Sequence, residues 1–223
     1  MKKYFLCFAL CLCTTITQLS AEDRCDQVIS NRPFAAKDFS HLFGMRGFSD
    51  KALSIHFCLY QGYVGMTNAF LERLALLGKE GRWNALEFAE CKRHLGWEYD
   101  GMRLHELFFE NLGGEGTHLD QNGTLYQEIE AAFGSFACWE SDFKATGVMR
   151  GIGWVILYRD PLSGRLTNMW IEEHSLGHLA GGTPLLVMDV WEHAYFPDYD
   201  ANRKAYIEAF FQNIHWPTVE GRL

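Results

Sequence analysis

Pro184-Leu185-Leu186-Val187-Met188-Asp189-Val190-Trp191-Glu192-His193-Ala194-Tyr195 is the stretch around which the rest of this chain is read. Its first five residues are apolar and short in extent, the pattern of a strand buried on both faces. Asp189 ends that strand with a carboxylate, and His193 adds an imidazole four positions later. Oxygen and nitrogen donors of this kind suit first-row transition metals such as iron or manganese. An isolated Asp-x-x-x-His is more often a strand-end acid beside a core histidine. Here a buried strand delivers the acid into a segment rich in tryptophan and histidine, and an ionised carboxylate in such surroundings needs a compensating partner.

Upstream of this stretch, Trp154 to Tyr158 and Leu166 to Ile171 read as two more strands, joined by a turn through Pro161 and Gly164. The earlier sequence is helical in pattern. Ser49-Asp50 opens a helix in which Leu53, His56, Phe57, Tyr60, Tyr63, Val64, Phe70, Leu71 and Leu74 recur at helical spacing as far as Gly78. A second helix is expected from about Trp83 to Leu112, with Gly96 and Gly101 as candidate breaks and Gly113-Gly114-Glu115-Gly116 as the closing loop. Leu125 to Phe133, Ser135 to Met149 and Ala201 to Asn213 complete the helical segments. The order predicts an α+β fold: an N-terminal long helical hairpin over residues 22–118, then a C-terminal three-stranded antiparallel sheet flanked by helices over 119–223.

Composition narrows the function classes. Apolar residues at 48% and charged residues at 22% exclude a disordered chain. Twenty basic against 28 acidic residues give a net charge of −8, which excludes a nucleic-acid surface, since that needs a basic stripe to displace counterions. Lys2 and Lys3, the apolar run from Tyr4 to about Cys13, and Ala21 before Glu22 have the layout of a secretory signal peptide over residues 1–21. The run is shorter than the ~20 residues that span a bilayer, so no stable membrane anchor is expected. Cleavage near Ala21 would export the protein to the periplasm or beyond. It would also remove Cys7, Cys11 and Cys13 and leave Cys25, Cys58, Cys91 and Cys138, among which a disulfide can form in an oxidising compartment.

The run Asp189 to Tyr195, with Pro184 to Leu186 before it and Tyr199, Asn202, Arg203 and Tyr206 after it, closely resembles the iron/manganese superoxide dismutases. Phe133-Gly134-Ser135-Phe136 and Gly151-Ile152-Gly153-Trp154 resemble two further signatures of that family, the second with Ile152 where serine is commoner. The resemblance extends over residues 39–216. It implies one iron or manganese ion per subunit, held by His56 and His105 from the two long helices and by Asp189 and His193. His105 is followed by the aromatic pair Phe108-Phe109, as in the family, whereas His94 is not. Valine at 187 and His174 in the outer sphere lean toward iron.

The implied reaction is the disproportionation of superoxide to dioxygen and hydrogen peroxide. In the family a glutamine or histidine hydrogen-bonds the metal's solvent, and His174 takes that place here, ahead of His178. Trp154, Trp191 and Phe109 would wall the site. Glu192 implies a homodimer in which it meets the other subunit's His193, with Tyr195 at the same interface; the family's second histidine of the first helix is absent. Arg203 matches the funnel arginine that draws in an anionic substrate. The family's gateway tyrosine follows the first histidine by eight residues, whereas Tyr63 follows His56 by seven. At ~100° per residue, seven positions return to within ~20° of the same face, so a regular α-helix without a π-bulge is expected there, with Tyr63 at the funnel and Tyr60 turned toward the subunit interface. An alternative reading of the whole chain is a catalytically weak, superoxide-dismutase-like metal-binding protein of the cell envelope.

Overall fold

The structure is a computed structural model and describes residues 33–223; the expected leader and Cys25 lie outside the described residues. After a 3-10 turn at Ser40–Leu42, the chain forms α1 (Asp50–Lys79), α2 (Leu86–Glu110), α3 (Thr124–Phe133), α4 (Phe136–Gly147), β1 (Gly153–Arg159), β2 (Leu166–Glu172), β3 (Thr183–Asp189), α5 (Glu192–Tyr199), α6 (Arg203–Gln212) and α7 (Trp216–Glu220). The fold is α+β. Ser49 caps α1 by accepting from the Ala52 N–H at 3.0 Å, and Asp50 places a negative charge at the positive end of the helix. From Asp50 to Lys79 the helix is α throughout, so His56 and Tyr63 are joined by regular geometry.

The second long helix departs from expectation. It runs unbroken through Gly96 and Gly101, because packing of the hairpin outweighs the ~1 kcal/mol that each interior glycine costs. Gly101 has a packing reason: a Cβ there would lie 2.7 Å from Cδ1 of Tyr63, so the missing side chain lets the tyrosine ring lie against α2. The expected helix over 201–213 is present as α6, Arg203–Gln212, and α5 before it and α7 after it are additional. Asp200 adopts φ +48 after α5, and Asn202 then caps α6 by accepting from the Ala205 N–H at 3.2 Å.

The sheet order is β2-β1-β3 with both pairings antiparallel, and each strand is within two residues of its expected bounds. Trp154 pairs with Asp189 across β1 and β3, which sets the indole beside the carboxylate. One buried cluster includes Tyr60, Val64, Phe108 and Phe109 from the hairpin, Trp154 to Leu157 and Leu185 to Met188 from the sheet, and Tyr206 and Phe210 from α6. Polar bonds reinforce the join between hairpin and sheet: Asn111 donates to the Val187 carbonyl, and Arg222 donates to the carbonyls of Leu185 and Leu107. Among the described residues no helix is long and apolar enough to cross a membrane.

Candidate metal centre

Four elements converge at the hairpin–sheet seam. His56 comes from α1, His105 from α2, Asp189 from the last position of β3 and His193 from the first turn of α5. Their donor atoms all lie within 4.8 Å of one another. Asp189 Oδ2 is 3.1 Å from His56 Nε2, 3.2 Å from His193 Nε2 and 3.7 Å from His105 Nε2. Three imidazole nitrogens thus face one carboxylate oxygen, and His56, His105 and Asp189 are all buried.

Each donor is aimed by a second bond. Asp189 Oδ1 accepts the Trp191 N–H at 2.8 Å, which leaves Oδ2 for the histidines. The Asp189 carbonyl accepts from the Tyr206 hydroxyl at 2.6 Å. His105 Nδ1 lies 2.6 Å from the Gly101 carbonyl, an acceptor only, so Nδ1 carries the proton and Nε2 keeps its lone pair. That buried Nε2 has no hydrogen-bond partner among the described residues. An orphaned acceptor facing an ionised carboxylate and two more imidazoles is the arrangement a divalent or trivalent cation satisfies.

The electrostatics agree. Burial pushes the pKa of His56 down and that of His105 down further, so both rings are neutral and able to ligate. For Asp189 burial acts upward, but the facing His193 and His56 rings outweigh it and hold the carboxyl well below the usual carboxylate range. A mixed set of three nitrogens and one oxygen fits iron or manganese better than a sulfur-loving metal.

His174 and Tyr63 meet over this cluster. The Tyr63 ring stacks on His105 at 5.1 Å between centroids, and its hydroxyl is 2.7 Å from His174 Nε2. The Trp154 indole, a donor only, gives its N–H to His174 Nδ1 at 3.0 Å. Burial lowers the His174 pKa to about 4, so the ring is neutral and its single proton sits on Nε2. That proton is donated to the Tyr63 oxygen, which leaves the phenolic hydrogen free to point onward. Tyr63 is partly exposed, so the chain of bonds Trp154–His174–Tyr63 runs from the core to the surface.

Other expected residues fall in different places. Tyr60 does not face outward for a partner subunit. It is 1% exposed inside the hairpin, where its hydroxyl donates to Glu106 Oε1 at 2.9 Å and accepts from the Lys37 N–H at 3.0 Å. Four residues after His56, it lies only ~40° round the helix from a buried ligand, which makes it interior. Arg203 is not within the cluster. Its guanidinium donates to the carbonyls of Met149 and Gly151 and to the Tyr195 hydroxyl, and it lies over the Tyr195 ring at 5.0 Å. Glu192 is exposed on α5. His94 is also exposed and stacks on Phe70, away from the donors. The expected wall of Trp154, Trp191 and Phe109 is present, with Phe109 4.9 Å from His56 and Trp191 stacked on His174 at 4.7 Å. Trp97 and Phe108 belong to it as well, at 4.6 Å from His174 and 5.2 Å from His56. Phe108 had the sequence cue of its neighbour Phe109; Trp97 had none.

Comparisons with known proteins bear on this geometry. Residues 121–222 match the family model described as iron/manganese superoxide dismutases, C-terminal domain. A protein of Cupriavidus metallidurans named superoxide dismutase [Fe] is 40% identical over 181 residues, covering 80% of this chain and 89% of that one. One of Aquifex pyrophilus with the same name is 36% identical, covering 83% and 89%. Superoxide dismutase [Mn] 2 of Haloferax volcanii is 35% identical, covering 73% and 80%.

Proposed function

The chain belongs to the iron/manganese superoxide dismutase family, and from that premise we propose how its residues divide the work of the reaction. The enzyme converts superoxide to dioxygen and hydrogen peroxide at a mononuclear iron or manganese site. The observation that carries this reading is the convergence of His56, His105, Asp189 and His193, with a buried His105 Nε2 that has no other partner. When bound by His56, His105, Asp189 and His193, the metal ion would supply the one-electron redox chemistry that the reaction needs. The protein's part is to hold that ion with three imidazoles and one anion, to keep the pocket dry with Trp154, Trp191, Trp97 and Phe109, and to deliver protons.

Proton delivery falls to His174 and Tyr63. With the His174 proton committed to the Tyr63 oxygen, the phenolic hydrogen is the one presented to the pocket. Burial pushes the Tyr63 pKa further above 10, and Asp189 and Glu98 push the same way, so the phenol stays protonated across the working range. Tyr63→Phe should therefore leave metal content intact and slow the proton-dependent half of the cycle, by ~10²-fold for a lost proton donor. Superoxide disproportionation followed by pulse radiolysis on metal-loaded protein measures this, and an unaltered rate in the variant would remove Tyr63 from the path. No turnover at all in the metal-loaded wild type would favour the weak metal-binding alternative.

Arg203 is our candidate for attracting the anion. Its bonds to backbone carbonyls fix the guanidinium without neutralising it, so a local positive charge persists on a chain of net charge −8. Glu192 and Tyr195 are assigned to a homodimer interface. Glu192 is exposed beside Phe196, four residues on along the same face of α5 and 51% exposed. A carboxylate next to an exposed aromatic ring suits a two-fold contact better than solvent. Sedimentation should give a dimer for the wild type and a shift toward monomer for Glu192→Ala; a monomeric wild type would defeat the assignment.

Export is supported by thiol chemistry as well as by the layout of the first 21 residues. Cys58 is disulfide-bonded, whereas Cys91 and Cys138 are free thiols, and stable disulfides belong to oxidising compartments. Protein recovered from its native compartment should begin at or near Glu22 by mass spectrometry and carry iron by metal analysis. An intact leader on the soluble protein would overturn export, and manganese as the resident ion would overturn the choice of metal.

A further inference from the structure

We propose that His178 is a positioning residue for His174, acting through the backbone of the loop that carries it. The ring of His178 bridges two groups: Nδ1 is 2.6 Å from the Tyr158 hydroxyl, and Nε2 is 2.8 Å from the His174 carbonyl. The carbonyl can only accept, so Nε2 holds the proton and Nδ1 accepts from Tyr158. Burial pushes the Tyr158 pKa up to about 12, which keeps it a donor. Tyr158 is 3% exposed and belongs to β1, the central strand, so the strut runs from the rigid sheet to the loop. Asp100, whose Oδ2 lies 3.9 Å from His178 Nε2, is the carboxylate facing it from α2 and is too far for a hydrogen bond.

The loop is shaped to bring His178 back under His174. Glu173 takes φ +51, and its amide donates to the Ile152 carbonyl at 3.1 Å. Gly177 takes φ +106, and a Cβ there would come within 2.8 Å of the Trp170 carbonyl, so this turn requires glycine. The Trp97 indole donates to Glu173 Oε2 at 3.0 Å, and Trp154 holds the His174 side chain. Of these anchors only His178 grips the His174 carbonyl. Without it, the main chain that sets the height of the ring over Tyr63 is free to rotate, and a buried carbonyl loses its donor.

The inference rests on the reading of His174 and Tyr63 as the proton path, and the test separates the two. His178→Leu removes both bonds of the strut at similar volume; His178→Gln keeps an amide donor and an amide acceptor. In metal-free protein, ¹⁵N NMR of the wild type should show His174 as a single tautomer protonated at Nε2, and His178→Leu should show exchange broadening or a tautomer mixture. In metal-loaded protein His178→Leu should retain wild-type metal content and lose about 10-fold in kcat, with most of the loss restored in His178→Gln. Unchanged His174 signals with wild-type turnover in the leucine variant would overturn the proposal, as would equal loss of metal and activity in both variants. Altered His174 signals with undiminished turnover would uphold the positioning and refute the proton-path reading beneath it.

Discussion

Asp189→Ala should yield a folded protein that holds no stoichiometric metal and does not turn over superoxide. Asp189 Oδ2 is the one anionic atom to which His56, His105 and His193 all turn. Without it three imidazoles face a cation with no anionic donor among them, and metal affinity collapses. His193→Ala should do the same by removing a donor and opening the exposed side of the pocket. Asp189→Asn separates charge from shape, since an amide oxygen can still accept the Trp191 N–H that now bonds Oδ1. It should keep the fold and still lose most of the metal. Metal analysis beside thermal unfolding decides the matter: full occupancy with normal turnover in Asp189→Ala would reject the ligand assignment.

Gly153→Ala is expected to be among the most destabilising single changes in the chain. Gly153 opens β1 at φ +152, and a Cβ there would sit 1.9 Å from the Ile171 carbonyl oxygen. That neighbour is backbone of the paired strand, so no side chain can swing aside. The Gly153 carbonyl itself accepts the Val190 N–H at 2.9 Å, one residue beyond Asp189. Strain and displaced pairing together should cost more than about 3 kcal/mol and lower the melting temperature by on the order of 10 °C. The metal should be held less firmly too, because the strand that moves lies beside Asp189. Differential scanning calorimetry with and without metal checks both parts; a melting temperature within a degree or two of wild type would show that β1 and β2 can part without penalty.

The strands were legible because they are short apolar or alternating runs with turn residues between them. The regular turn geometry of α1 followed from counting seven residues between His56 and Tyr63, and the helix has it. Other features were hidden for physical reasons. Gly96 and Gly101 looked like breaks because local propensity takes no account of the Tyr63 ring that needs the space at Gly101. Helix α5 was obscured by Pro197 inside it and by Asp200 at positive φ after it. Tyr60 was assigned to a surface because the partner that draws it inward, Glu106, lies 46 residues away. The strut through His178 depends on a turn at Gly177 that brings two loop residues together with a strand tyrosine, and spacing alone does not reveal it.

The donors that meet at Asp189 Oδ2 are far apart along the chain: His56 and Asp189 are separated by 133 residues, and they meet only when the hairpin lies on the finished sheet. No early fragment of the chain can therefore assemble this set of donors. A growing polypeptide has to release β3 and the start of α5, after both long helices, before the fourth donor exists. Long-range closure of this kind is slow compared with formation of the two helices. The ion is thus captured late, from whatever pool surrounds the chain as it finishes folding. Because donors of this type differ little in preference between neighbouring metals, the identity of the captured ion is fixed by that pool as much as by the pocket. A chain folded in one compartment and a chain folded in another can carry different metals with the same sequence.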